Sequence, residues 1–194
     1  VASGVGLTVS YTASTGVLLI SGTASTATYQ TILQGILYNN TSDQPTTSNR
    51  SITVVARDST NASSTSRTAT VTVTAVNDAP TIASLSGDSR AYSEGAGAVV
   101  IESGNAVVAD VDSTNLDTGT LTVSIPAGGD SAEDVLSIRH QGTGAGQIGV
   151  SSNTITYQGV TIGTFTGGSG GTNLVITFNS NATPTAVTAL VRNI

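Results

Sequence analysis

Ser51-Ile52-Thr53-Val54-Val55-Ala56 and Ala69-Thr70-Val71-Thr72-Val73-Thr74 alternate apolar with polar residues. A period of two puts one set of side chains on each face of a pleated strand. Both runs are rich in β-branched residues, which pack well on a half-buried sheet. Leu121-Thr122-Val123-Ser124-Ile125, Asn153-Thr154-Ile155-Thr156-Tyr157 and Leu174-Val175-Ile176-Thr177-Phe178 repeat the pattern. Turn material separates such runs: Ala127-Gly128-Gly129-Asp130, Gly142-Thr143-Gly144 and Gly167-Gly168-Ser169-Gly170-Gly171. Many short strands with regularly spaced turns predict an all-β sandwich or barrel.

The same runs also repeat along the chain. Gly4-Val5-Gly6-Leu7-Thr8-Val9 matches Gly159-Val160-Thr161-Ile162-Gly163-Thr164, an offset of about 155. Val17-Leu18-Leu19-Ile20 matches Asn173-Leu174-Val175-Ile176. Thr28-Tyr29-Gln30-Thr31-Ile32 then falls on Thr183-Pro184-Thr185-Ala186-Val187, and Ile36-Leu37-Tyr38-Asn39 on Leu190-Val191-Arg192-Asn193. Residues 1–78 therefore read as the C-terminal half of one repeat, and residues 79–194 as the N-terminal three-quarters of the next. Residues 79–194 and 39–78 together make one repeat of about 156 residues in permuted order.

One element per repeat breaks the strand pattern. Thr183-Pro184 reads as a helix N-cap followed by proline in the first helical position. Val187, Leu190 and Val191 follow at helical spacing. In the other copy Thr28 precedes Ile32, Leu33, Ile36 and Leu37. A helix of two to three turns is expected in each copy.

The bulk composition narrows the function. Of 194 residues only 9% are charged, and the net charge is −6, which argues against a nucleic-acid partner. The absence of cysteine removes thiol catalysis and zinc–thiolate sites. No apolar run is long enough to cross a bilayer. The chain opens on neither methionine nor a signal peptide, so it is expected to be a segment of a longer secreted protein. At 4% aromatic content, a stacking platform for bases or sugars is thin.

The junction between the two copies reads Ala75-Val76-Asn77-Asp78-Ala79-Pro80. It resembles the inter-domain linker of cadherins and of bacterial cadherin-like repeats. Tyr92-Ser93-Glu94-Gly95 resembles the first-strand glutamate motif of such domains. Ala109-Asp110-Val111-Asp112-Ser113-Thr114-Asn115 resembles their Asp-x-Asp loop, and Val54-Val55-Ala56-Arg57-Asp58 their late-strand acidic motif. Tyr38-Asn39-Asn40-Thr41-Ser42-Asp43-Gln44-Pro45, with Arg50 and Thr53, is similar to the repeat ending of giant bacterial surface proteins.

This resemblance implies an Ig-like or cadherin-like Greek-key β-sandwich repeat carrying one short helix. It also implies a calcium site at the junction, with Asn77, Asp78, Asp110, Asp112 and Asn115 as ligands. Calcium takes six to eight oxygen ligands, and these residue types supply them. Asp43 sits where cadherins carry an Asp-Arg-Glu motif, from which Asp43-Gln44-Pro45 departs. Glu94 and Asp58 match motifs that serve junctions lying outside this chain. The same acids also suit ordinary turns, because Asp and Asn cap turns locally.

Catalytic constellations are weak. His140 is the only histidine and is expected at the surface or a strand edge. Glu133-Asp134 would point to opposite faces of a strand, and reads as the start of a strand at Val135. Gly142-Thr143-Gly144-Ala145-Gly146 lacks the lysine and helix of a phosphate loop. The expected function is a non-enzymatic structural or adhesive repeat of a long bacterial extracellular protein at the cell surface. Its partners would be neighbouring repeats, or identical chains joined head to tail in a filament, with surface glycans as a further class. A polysaccharide-binding module is the competing reading.

Overall fold

A computed structural model describes residues 6–194. It is mostly β, as the alternation predicts, with eleven strands and two helices among the described residues. The chain divides into two compact units, Val1–Ser42 and Asp43–Ile194.

The first unit is a hairpin followed by a helix. Strands β1 (Leu7–Thr12) and β2 (Val17–Gly22) pair antiparallel, with Val9 opposite Ile20 and Tyr11 opposite Leu18. Helix α1 (Thr26–Gln34) starts at Ser25, whose Oγ accepts the Thr28 N–H at 3.1 Å. The Tyr29 hydroxyl donates to the Gly22 carbonyl at 2.7 Å and ties helix to hairpin. Gly22 has φ +130°, and a Cβ there would lie 2.6 Å from the Gly6 carbonyl oxygen. Only glycine suits that position. Leu7 and Ile32 are buried, whereas Val9, Tyr11, Leu18 and Leu19 are exposed.

The second unit opens with hairpin β3 (Arg50–Val54) and β4 (Arg67–Val71). A second hairpin pairs β5 (Thr81–Ala83) with β6 (Val107–Ala109). Strands β7 (Thr120–Val123), β8 (Ile148–Ser151), β9 (Thr154–Tyr157), β10 (Val160–Thr166) and β11 (Leu174–Phe178) form one antiparallel sheet in the order β7-β11-β10-β9-β8. Helix α2 (Pro184–Val191) follows. Period-2 burial is plain in β11, where Leu174, Ile176 and Phe178 are buried. They pack with Ile148, Ile155, Val187 and Leu190, so the sheet and α2 share one core with Val108 of β6. Each such side chain contributes about 1.5–3 kcal/mol by leaving water. Thr188 of α2 fastens that helix to β6. Its Oγ1 accepts the Val108 N–H at 2.9 Å and donates to the Val108 carbonyl at 3.3 Å.

Hairpin β1–β2 and hairpin β10–β11 share one register. Val9 opposite Ile20 corresponds to Phe165 opposite Ile176, and Leu7 opposite Gly22 to Gly163 opposite Phe178. All four positions are related by an offset of 156. Each hairpin leads into a helix whose hydroxyl cap accepts the N–H three residues on, from Ser25 and from Thr183. The caps are 158 residues apart, so the loop before α2 is two residues longer.

Three sequence expectations need correction. The hairpins match with Leu7 on Gly163 and Val9 on Phe165, not Leu7 on Ile162 and Val9 on Thr164, because β10 has an irregularity in its pairing with β9 between Thr161 and Gly163. The helices match by their caps, with Ser25 on Thr183 and Ile32 on Leu190, not Thr28 on Thr183 and Ile36 on Leu190. Apolar residues that recur every three or four positions fit equally well after a slip of one turn. Ile36 and Leu37 lie beyond α1, and Leu37 is 90% exposed. The strand expected to start at Val135 is also not formed. Residues 135–141 take no regular structure, and their N–H groups go to separate acceptors: Leu136 to Gly168, Arg139 to Asn193 and Gln141 to Ile148. No single neighbour offers them a ladder.

Candidate functional site

The β5–β6 pairing builds the junction. Thr81, the first residue of β5, lies opposite Ala109, the last of β6. The linker residues just before β5 therefore meet the loop just after β6. The Asp78 N–H donates to Asp112 Oδ2 at 3.1 Å. The Ser113 hydroxyl reaches Asn77 Oδ1 at 3.5 Å. Within the loop, Asp110 Oδ1 accepts the N–H groups of Asp112 at 3.2 Å and Ser113 at 2.9 Å. The Ser113 N–H is the main reason the Asp110 carboxyl is held below the ordinary carboxylate value; desolvation opposes it. Asp78, Asp110 and Asp112 are half-buried.

The linker and loop segments that carry four of the expected ligands, Asn77, Asp78, Asp110 and Asp112, thus meet here, through the Asp78 N–H and the Ser113 hydroxyl. The others are engaged or placed elsewhere. Asn115 Oδ1 accepts the Asp117 N–H at 3.1 Å, in a separate turn. Asp58 organises the β3–β4 loop, where its Oδ1 accepts the Thr60 hydroxyl, the Thr60 N–H and the Ala62 N–H. These bonds, led by the Thr60 hydroxyl, lower its pKa. Glu94 lies in an exposed turn, and Asp43 is exposed.

The junction suits calcium in the kind of donor it offers, since all are oxygens. In number the match is thinner. Among the described residues, no three His, Cys, Asp or Glu side chains converge closely enough to hold a metal ion. Any bound ion would rely on Asp110, Asp112, amide and main-chain oxygens, and water.

A second carboxylate centre escaped the sequence reading. Glu102 is 2% exposed, and its carboxylate accepts the backbone N–H groups of Gly104, Asn105 and Ala106. Burial pushes its pKa up, but the three donors together outweigh burial and hold it below the ordinary value. Nearby, the Asp88 carboxylate accepts the N–H and hydroxyl of Ser103. Both acids fold the segment before β6. The available signal was Glu102-Ser103-Gly104, an acceptor followed by a glycine that takes φ +101°.

His140 is exposed, and its Nδ1 accepts the Val150 N–H of β8 at 2.9 Å. Asp134 caps a turn through the Asp130 N–H at 2.7 Å rather than facing Glu133 across a cleft. No family model matches the chain, and no curated protein or solved structure matches it significantly.

Proposed function

We propose that this chain is a non-enzymatic segment of a tandem-repeat protein, built for length and stiffness outside the cell. The observation that carries this reading is the duplicated hairpin–helix unit, with one hydrogen-bond register at an offset of 156. Repeats of this kind stack end to end, and their stability is a sum over units and neighbours. In this reading each repeat is a cadherin-like Greek-key sandwich, with the boundary at residues 78 and 79. The composition supports it: no cysteine, few charges, and a net negative balance.

Calcium at Asn77, Asp78, Asp110 and Asp112 would join the linker to the first loop of the following repeat. The Asp78–Asp112 hydrogen bond supports this, because linker and loop already touch there. Binding energy would then resist bending at the joint. Thermal unfolding with calcium and with chelator tests the proposal. A ligand bound only by the folded form raises the melting temperature. No shift at millimolar calcium removes the metal from the reading, since extracellular modules bind at about 10⁻⁴–10⁻³ M.

A head-to-tail filament is the second reading. Val9, Tyr11, Leu18 and Leu19 expose apolar surface on a two-stranded hairpin, which is marginal without a covering layer. Sedimentation distinguishes the two: a monodisperse monomer up to high concentration excludes self-assembly.

A further inference from the structure

The cations of this chain are six arginines, set against twelve acids. Two of them, Arg139 and Arg192, line the same cleft of about 400 Å³. The cleft is lined by residues of α2, by Arg139 and Gln141 of the 135–141 segment, and by Tyr157 at the end of β9. In a chain of net charge −6, two guanidinium groups on one concave surface oppose the bulk field. Such a site selects an anion that the rest of the surface repels.

Both arginines are held in place. Arg139 Nε donates to Asn193 Oδ1 at 2.8 Å, and the Arg139 N–H donates to the Asn193 carbonyl at 2.7 Å. Asn193 is buried and is itself anchored, its Nδ2 donating to the Ala189 carbonyl at 2.7 Å. Arg192 Nε donates to the Ala106 carbonyl at 2.8 Å. Each guanidinium is therefore tied by its Nε edge to a neutral oxygen. The terminal amino groups remain as the fork that matches the two oxygens of a carboxylate.

The rest of the wall says what carries that carboxylate. Thr185 offers a hydroxyl and Gln141 an amide whose Oε1 already accepts the Ile148 N–H at 3.0 Å, and Tyr157, partly buried against the core, borders the cleft. No large aliphatic side chain lines the cleft, so an acidic peptide would find no apolar pocket. A volume of about 400 Å³ falls at the small end of ligand sites. We infer that this cleft binds a carboxylate-bearing sugar, a uronic acid residue of an extracellular polysaccharide. Its carboxylate bridges Arg139 and Arg192, and its hydroxyls meet Gln141, Thr185 and Tyr157. This site is separate from the junction, and the choice of an extracellular polysaccharide rests on the proposed extracellular setting.

The test is calorimetric titration of the whole chain with digalacturonate, a neutral galactose disaccharide, acetate and inorganic phosphate. Digalacturonate is expected to bind, with the neutral sugar at least tenfold weaker. Arg139→Gln and Arg192→Gln should each weaken binding roughly tenfold, the loss of one charge-assisted contact. Because Arg192 also supports Ala106 and Gln141 supports Ile148, Thr185→Ala at an exposed position of α2 provides a further variant; it should weaken binding a few-fold. Equal binding of acetate or phosphate would reduce the cleft to a general anion site and overturn the inference. Affinity unchanged in Arg139→Gln and Thr185→Ala would overturn it too, as would no heat with digalacturonate.

Discussion

The backbone N–H of Asp78 donates to the carboxylate of Asp112, 34 positions later in the chain, at 3.1 Å. This one bond ties the linker to the loop that follows β6. It also occupies an oxygen that a cation would otherwise use. Asp112→Ala leaves that half-buried N–H without its partner and should cost about 1 kcal/mol. Asp112→Asn keeps an acceptor oxygen and should lie close to the parent in chelator. In millimolar calcium the Asn variant should fail to gain the melting-temperature rise expected of the parent. An equal rise in both would place any calcium elsewhere.

Glu102 makes stability depend on pH. Its carboxyl is held below the ordinary value of 4.5, so the folded state favours the ionised form. The stabilisation is full above that value and is lost as pH falls through the folded pKa. Melting temperature should therefore drop on acidification below about pH 4.5. Glu102→Gln turns an amide toward three N–H donors and should destabilise by about 1–3 kcal/mol near neutrality. The variant should also flatten the acid limb of the curve. An unchanged acid limb would show that other carboxylates control it.

Helix α2 depends on its cap. Thr183 Oγ1 accepts the Ala186 N–H at 3.3 Å, and Pro184 occupies the first turn without needing a partner. Thr183→Ala should lower stability by about 1 kcal/mol, and Thr183→Ser by much less. Urea midpoints measure both.

The paired positions Ile20 and Ile176 should respond differently to the same truncation. Ile176 is fully buried in the shared core, so Ile176→Ala should cost about 2–5 kcal/mol. Ile20 is half-buried on a hairpin whose neighbours Val9 and Leu18 are exposed. Ile20→Ala should cost well under half as much in dilute solution. If the filament reading holds, Ile20→Ala should become costly at concentrations where chains associate.

Strand content was readable because alternation is a local signal. Each of the five alternating runs falls on an observed strand, within two or three residues at the ends. The helices were readable from Thr183-Pro184, but not their match to each other, because a one-turn slip keeps Leu190 and Ile36 both apolar. The junction was legible from Asp78, Asp110 and Asp112, since β5–β6 pairing joins segments that both carry acids. Glu102 was not, because its role rests on backbone N–H groups, and Glu102-Ser103-Gly104 is only a weak pointer to them. The arginine cleft was hidden for another reason. Arg139, Tyr157 and Arg192 are spread over more than fifty positions, and only the packing of α2 on the sheet gathers them.

The two-residue difference between the loops before α1 and α2 leaves both hairpin registers intact. Length variation is therefore absorbed at Asn179–Ala182 and at the matching Thr23–Ala24, outside the paired strands. That makes the strand-to-helix bend a natural grafting point. An epitope or a fluorophore-labelling peptide inserted there should be displayed at a fixed spacing along an array of such domains.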